Sequence, residues 1–155
     1  MGMGGRIHMP IEAHLLTLSQ WLSPAYPVGG FAYSHGLEGA VAMGWVTGGA
    51  ALEDWLGDVL EFGAGRADAL LLAAAYRAGS AEELADVDAT ARAFAVTKER
   101  LFETEQLGAA FCKVTGAVWA ADLQGFTYPV AVGRAATKRL AGRPCASTGA
   151  PGTAP

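Results

Sequence analysis

Apolar residues recur along this chain at spacings of three and four, and β-branched residues nowhere alternate with polar ones over more than four positions. That periodicity is helical and leaves no segment that reads as a strand. The expected fold class is all-α: a single helical-bundle-like domain of about seven helices, which suits a chain of 155 residues. No self-similarity at a fixed period appears, which argues against a solenoid.

Punctuation by Gly, Pro and capping residues divides the pattern. Residues 1–9 are Gly- and Met-rich and read as a flexible N-terminus. Pro10 suits a first helical turn, and Ile11, Leu15, Leu18 and Leu22 form one face, with Trp21 flanking it. Ser23-Pro24 ends that helix, because a residue before proline is pushed out of the α region. A second helix is expected from about Phe31–Ser34 to Met43, with Gly36, Ala40 and Gly44 as a stripe of small residues suited to close packing, and Gly44 as the residue beyond its end. Thr47 can cap a third helix, whose Leu52, Trp55, Leu56, Val59 and Leu60 make a broad buried face. The next, about Arg66 to Ala78, is apolar nearly all round and is expected at the centre of the domain. Ser80-Ala-Glu-Glu83 is a capping box, followed by Leu84, Val87, Ala91 and Phe94. A long helix from Thr97 or Lys98 presents Leu101, Thr104, Leu107, Phe111, Val114 and Val118. Its Lys98, Glu99, Glu103 and Glu105 read as a solvated face. Pro129 permits a last helix through about Ala141, so the helical domain spans 10–141. Residues 142–155 have no aliphatic side chain larger than Ala and read as a disordered low-complexity tail.

Several function classes find no support. The formal net charge of −4 and the absence of a Lys/Arg run remove the electrostatic footprint of a nucleic-acid binder. No apolar run reaches the roughly 18 residues of a membrane span. Cys112 and Cys145 lie far apart, which fits a reducing cytoplasm. His8, His14, His35 and the two cysteines lack the spacing that builds a metal site on one element. No phosphate-cradling loop and no nucleophile elbow occur. Neighbouring Ser34 and His35 on a helix would diverge by about 100° and could not act as nucleophile and base. No catalytic, cofactor-binding or metal-ligating residue is assigned, and the chain is expected not to be an enzyme.

The densest chemistry lies in Leu22–Trp45, where turn residues, aromatics and polar side chains crowd together. Rigid aromatics are favoured anchors of binding surfaces. Phe31 and Trp45 are expected to roof the core. The exposed candidates for partner contact are Pro24, Tyr26, Pro27, Gly29, Gly30, Tyr33, Ser34, His35, Gly36 and Glu38.

The run Leu22-Ser-Pro-Ala-Tyr-Pro-Val-Gly-Gly-Phe-Ala-Tyr-Ser-His-Gly-Leu-Glu38, followed by Gly44-Trp45-Val46, resembles the N-terminal signature of the UreF family of urease accessory proteins. Thr97-Lys-Glu-Arg through Glu105-Gln106, and Tyr128-Pro129-Val130, resemble later helix starts of that family. They add Glu99, Glu105 and Gln106 to the candidate contact residues. The resemblance implies an all-helical, cytoplasmic, non-enzymatic adaptor that forms a homodimer. It also implies binding to UreD (also called UreH), recruitment or modulation of the GTPase UreG, and nickel delivery into apo-urease. UreF-like chains continue for several helices past the Tyr-Pro-Val start, whereas here the tail follows Gly142. The expectation is therefore a C-terminally truncated or frame-shifted member lacking those helices. Three other readings stand beside it: a helical interaction domain with an unrelated partner, a non-functional fragment, and a small hydrolase using His35 or the Glu99–Glu105 face.

Overall fold

The computed structural model describes residues 13–30, 33–119, 121, 123 and 125–140. The N-terminal stretch 1–9, the tail 142–155, and Ile11 and Phe31 lie outside the described residues. Among the described residues the fold is all-α, without a strand. The helices are α1 (Ala13–Trp21), α2 (Leu37–Ala42), α3 (Gly49–Glu61), α4 (Ala64–Arg77), α5 (Ala81–Ala93), α6 (Lys98–Trp119) and α7 (Tyr128–Leu140).

The centre of the packing is α7, not α4. Helix α7 runs against α4 and α6 and also touches α5 and α1. Its Val130 joins Ala75, Ala78, Leu84 and Ala91 in one apolar cluster. Its Ala131, Val132, Ala135 and Ala136 join Trp21, Phe111, Cys112 and Leu123 in another. Helix α4 has neighbours in α3, α5 and α7, yet Leu70 on its outer side is exposed. Its apolar composition therefore exceeds what the described residues bury. Two glycines let the backbones meet at α7. A Cβ on Gly133 would stand 2.3 Å from the Leu72 carbonyl oxygen, and one on Gly108 would stand 2.2 Å from that of Phe126.

Close approach was expected instead along Gly36, Ala40 and Gly44. Only Ala40 of the three lies inside α2, and it is buried. Gly36 and Gly44 flank the helix at φ +85° and +74°, and serve conformation rather than packing. Helix α2 starts at Leu37 because His35 (φ 50°) and Gly36 are both left-handed, which no right-handed helix can include. It ends as expected at Gly44: the Gly44 N–H donates to Val41 and the Trp45 N–H to Ala40, a Schellman motif.

Other expectations meet mixed outcomes. In α1 the buried residue is Trp21, while Leu15 and Leu22 of the expected stripe are exposed. The helix is held by its last turn, where Trp21 packs edge-on against Phe111 and Trp119. Helix α3 is capped by Gly48, not Thr47, without a side-chain bond, and buries no residue fully. Leu52, Trp55 and Val59 are half-buried, whereas Leu56 and Leu60 face outward. Half of the expected capping box of α5 forms: Ser80 Oγ accepts from the Glu83 amide, but Glu83 Oε2 accepts from the amide of Gly79, one residue before the cap, instead of from that of Ser80. Phe94, Val118 and Trp45 are exposed rather than packed.

Candidate functional site

Among its described residues the Leu22–Trp45 stretch is largely irregular up to α2, and its turns are tied locally. Ser23 Oγ accepts from the Ala25 amide, the Tyr26 amide donates to Ser23, and Gly29 takes φ +81°. These bonds suit a stretch whose prolines and glycines restrict the chain and then free it. Ser23, Pro24, Tyr26, Val28, Gly30 and Tyr33 line one groove of about 350 Å³.

Tyr26 anchors this loop to α6. Its hydroxyl lies 2.8 Å from Thr115 Oγ1, and its ring packs 5.6 Å from Phe111. Burial pushes the Tyr26 phenol up, and the Thr115 bond opposes that in part. The expected exposed aromatic is therefore half core: one side packs, the other lines the groove.

A second tie lies at the loop's far end. His35 Nε2 stands 3.9 Å from Glu103 Oε1, with the imidazole half exposed. Glu103 is 7% exposed, which overturns its reading as part of a solvated face. Its charge is met by Arg100 Nη1 at 2.9 Å, and Arg100 Nη2 reaches Asp68 Oδ2 at 2.6 Å. Burial alone would lower the Arg100 pKa; Asp68 and Glu103 more than reverse that, and the net shift is upward. Two carboxylates face one guanidinium, so α4, α6 and the His35 turn meet around a surplus negative charge.

Glu105 belongs to a different constellation. It pairs with Arg92, whose Nε donates to Asp88 Oδ2 at 2.7 Å and whose Nη2 donates to the Gly125 carbonyl at 2.8 Å. Asp88, itself buried, accepts at Oδ1 from the Thr127 amide (2.7 Å) and hydroxyl (2.9 Å). A carboxylate at the start of α7 also suits that helix's dipole. The Asp88 hydrogen bond holds the Arg92 pKa up against burial. This clamp joins α5, α6 and the turn into α7.

The expected contact residues thus separate. Pro24, Tyr26, Gly30 and Tyr33 share the groove; Pro27 and Gly29 are exposed on the same loop. Ser34, His35 and Gly36 form the turn before α2, and Glu38 is exposed in its first turn. Glu99 and Gln106 are exposed on α6, whereas Glu105 is held inside the clamp. Sequence reasoning missed Asp68, Asp88, Arg92, Arg100 and Thr127. The spacing of Asp88 to Arg92 (i, i+4) and Arg100 to Glu103 (i, i+3) was a visible signal for two of these pairs.

Among the described residues no three His, Cys, Asp or Glu side chains converge as a metal site would need. No described helix is long and apolar enough to cross a membrane.

A model of the UreF family matches residues 46–145. Urease accessory protein UreF of Ruegeria pomeroyi is 51% identical over 140 residues, covering 90% of this chain and 64% of its own length. That of Roseobacter denitrificans is 53% identical over 131 residues, covering 84% and 58%. That of Methylorubrum populi is 50% identical over 133 residues, covering 78% and 59%. The chain thus spans about three-fifths of the length of these curated relatives. The family model begins just past the Leu22–Trp45 stretch, but an alignment over 90% of the chain includes that stretch as well. No solved structure matches the chain.

Proposed function

This chain belongs to the UreF family, and on that premise we propose that it acts as a non-catalytic adaptor in urease maturation. In this reading it binds UreD/UreH and recruits or modulates the GTPase UreG, so that nickel, as cargo, is inserted into apo-urease. It does so in the cytoplasm and as a homodimer. The observation that carries the reading is the family match together with the groove around Tyr26 and Tyr33. A stretch held by local turns and by Tyr26 on Thr115 presents a defined relief. Pre-organisation of that kind lowers the ordering cost of association.

The test uses cells that carry the urease subunits and the other accessory proteins but lack their own UreF. Expression of this chain is expected to raise the nickel content of purified urease and to co-purify UreD. Tyr33→Ala and His35→Ala are expected to lose co-purification while the thermal transition of the isolated chain stays in place. Absence of both nickel and UreD capture with the unaltered, folded chain would refute the reading.

A further inference from the structure

We propose that Thr115, a residue of α6 outside the groove, is the positioning residue for Tyr26: its hydroxyl fixes how the Tyr26 ring stands in the groove, and so how well the groove takes a partner. The second half of that statement rests on the groove being the partner surface.

The loop's own bonds set its shape but not its seat. The Ala25 amide donates to Ser23 Oγ, the Tyr26 amide to the Ser23 carbonyl, the Val28 amide to that of Tyr26, and the Tyr33 amide to that of Gly30. These four begin and end within residues 23–33. Apolar contact then carries the loop to the core: Tyr26 and Val28 pack against the cluster of Trp21, Phe111, Cys112 and the α7 alanines. Such contact is non-directional, so it keeps a ring near without fixing its angle. The hydroxyl pair of Tyr26 and Thr115, 2.8 Å apart across 89 positions of sequence, supplies a direction.

The two ends of that bond are not alike. Thr115 is 1% exposed, in an interior where an unbonded hydroxyl is costly. Valine has nearly the same shape and would fill the space without that cost. Tyr26 is half-buried, and it lines the groove with Pro24, Val28 and Tyr33. Without the Thr115 hydroxyl, a phenol at the groove can turn toward water, which satisfies it but moves the ring. Losing the bond from the α6 side therefore alters the groove more than the fold.

Two variants separate these effects. Thr115→Val keeps the volume and removes the hydroxyl; Thr115→Ser keeps the hydroxyl and removes a methyl. Retention of UreD by the immobilised full chain is measured well below both thermal transitions. Thr115→Val is expected to weaken retention about fivefold, and Thr115→Ser to keep it within about twofold, whichever of the two melts lower. Tyr26→Phe/Thr115→Val is expected to bind no more weakly than Tyr26→Phe alone. A readout without UreD runs in parallel: in chain carrying ring-labelled tyrosine, the Tyr26 signals, identified by their loss in Tyr26→Phe, are expected to move in Thr115→Val and stay in Thr115→Ser.

Equal weakening by Val and Ser, in step with their melting, would mean a structural role only and would overturn the proposal. So would full retention by Thr115→Val, or Tyr26 signals that do not move. A parent chain that fails to hold UreD refutes the adaptor reading instead. The ring signals then decide by themselves whether Thr115 positions Tyr26.

Discussion

Gly133→Ala puts the position of α7 to a direct test. In a helix interior alanine is favoured over glycine by about 0.8–1.0 kcal/mol, so propensity alone makes this a stabilising change. The structure opposes it. The new methyl would lie 2.3 Å from the Leu72 carbonyl oxygen, 2.9 Å from the Ala75 methyl and 3.1 Å from the Tyr76 amide nitrogen. Two of these are backbone atoms of α4 and cannot swing aside as a side-chain tip would. Relief requires α4 and α7 to part, which loosens both apolar clusters. Over-packing of this kind typically costs about 1–3 kcal/mol, and contact with backbone places it at the upper end. Set against the propensity gain, the net destabilisation is about 2 kcal/mol, or about 4–8 °C in Tm for a chain of this size. Gly57→Ala on α3 is the matched control: with open space around its Cβ it is expected to stabilise by about 0.5–1 kcal/mol. Urea unfolding of both variants, with an unchanged m-value, gives the comparison. A Gly133→Ala chain as stable as the parent would refute the close approach of α4 and α7.

Three further outcomes follow from the side-chain ties. Tyr26→Phe removes the bond to Thr115 and leaves that buried hydroxyl without it; a loss of about 1–2 kcal/mol is expected in urea unfolding, and no loss would detach the loop from α6. Asp88→Ala strands two Thr127 donors and the Arg92 Nε–H, while Glu105 and the Gly125 carbonyl still hold the rest of the guanidinium; about 3 kcal/mol is expected, together with faster amide exchange at Thr127, and protection unchanged there would contradict the clamp. Burial raises the Cys112 thiol above its ordinary 9.0. Because the folded value is the higher one, its contribution to stability is present below the unfolded thiol's range and is lost as pH rises through the folded value. In a Cys145→Ala background, Cys112 is therefore expected to react with a disulfide reagent at pH 8 far more slowly in the native chain than in urea, and equal rates would contradict its burial.

What could be read from the residues was local. The Ser80 cap, the glycine stop at Gly44 and the seven-helix class depend on near neighbours in the chain. The errors came where distant segments decide. Periodicity on α1 marked Leu15, Leu18 and Leu22; Leu18 does pack against the core, but Leu15 and Leu22 are exposed and Trp21 fills the buried site. Apolar content placed α4 at the centre. Yet α7, read only as a last helix start, holds both clusters because its small residues let neighbouring backbones near. Glu103 looked solvated because Arg100 and Asp68, its charge relay, come together only through the fold. The contact set behaved likewise. Local turn chemistry marked Pro24 to Tyr33, and tertiary packing then withdrew half of Tyr26 and tied the half-exposed Glu105 to Arg92.

Glycine carries the distinction between these two kinds of signal. Gly36 and Gly44 are needed for their dihedral angles, which a sequence can suggest from a neighbouring helix stop. Gly108 and Gly133 are needed for backbone contact, which only the assembled fold reveals. Gly57 is required by neither: it sits inside a helix, at an ordinary φ, with open space around it. Gly39 in α2 stands the same way, so these two lower helix stability without a conformational or packing role among the described residues.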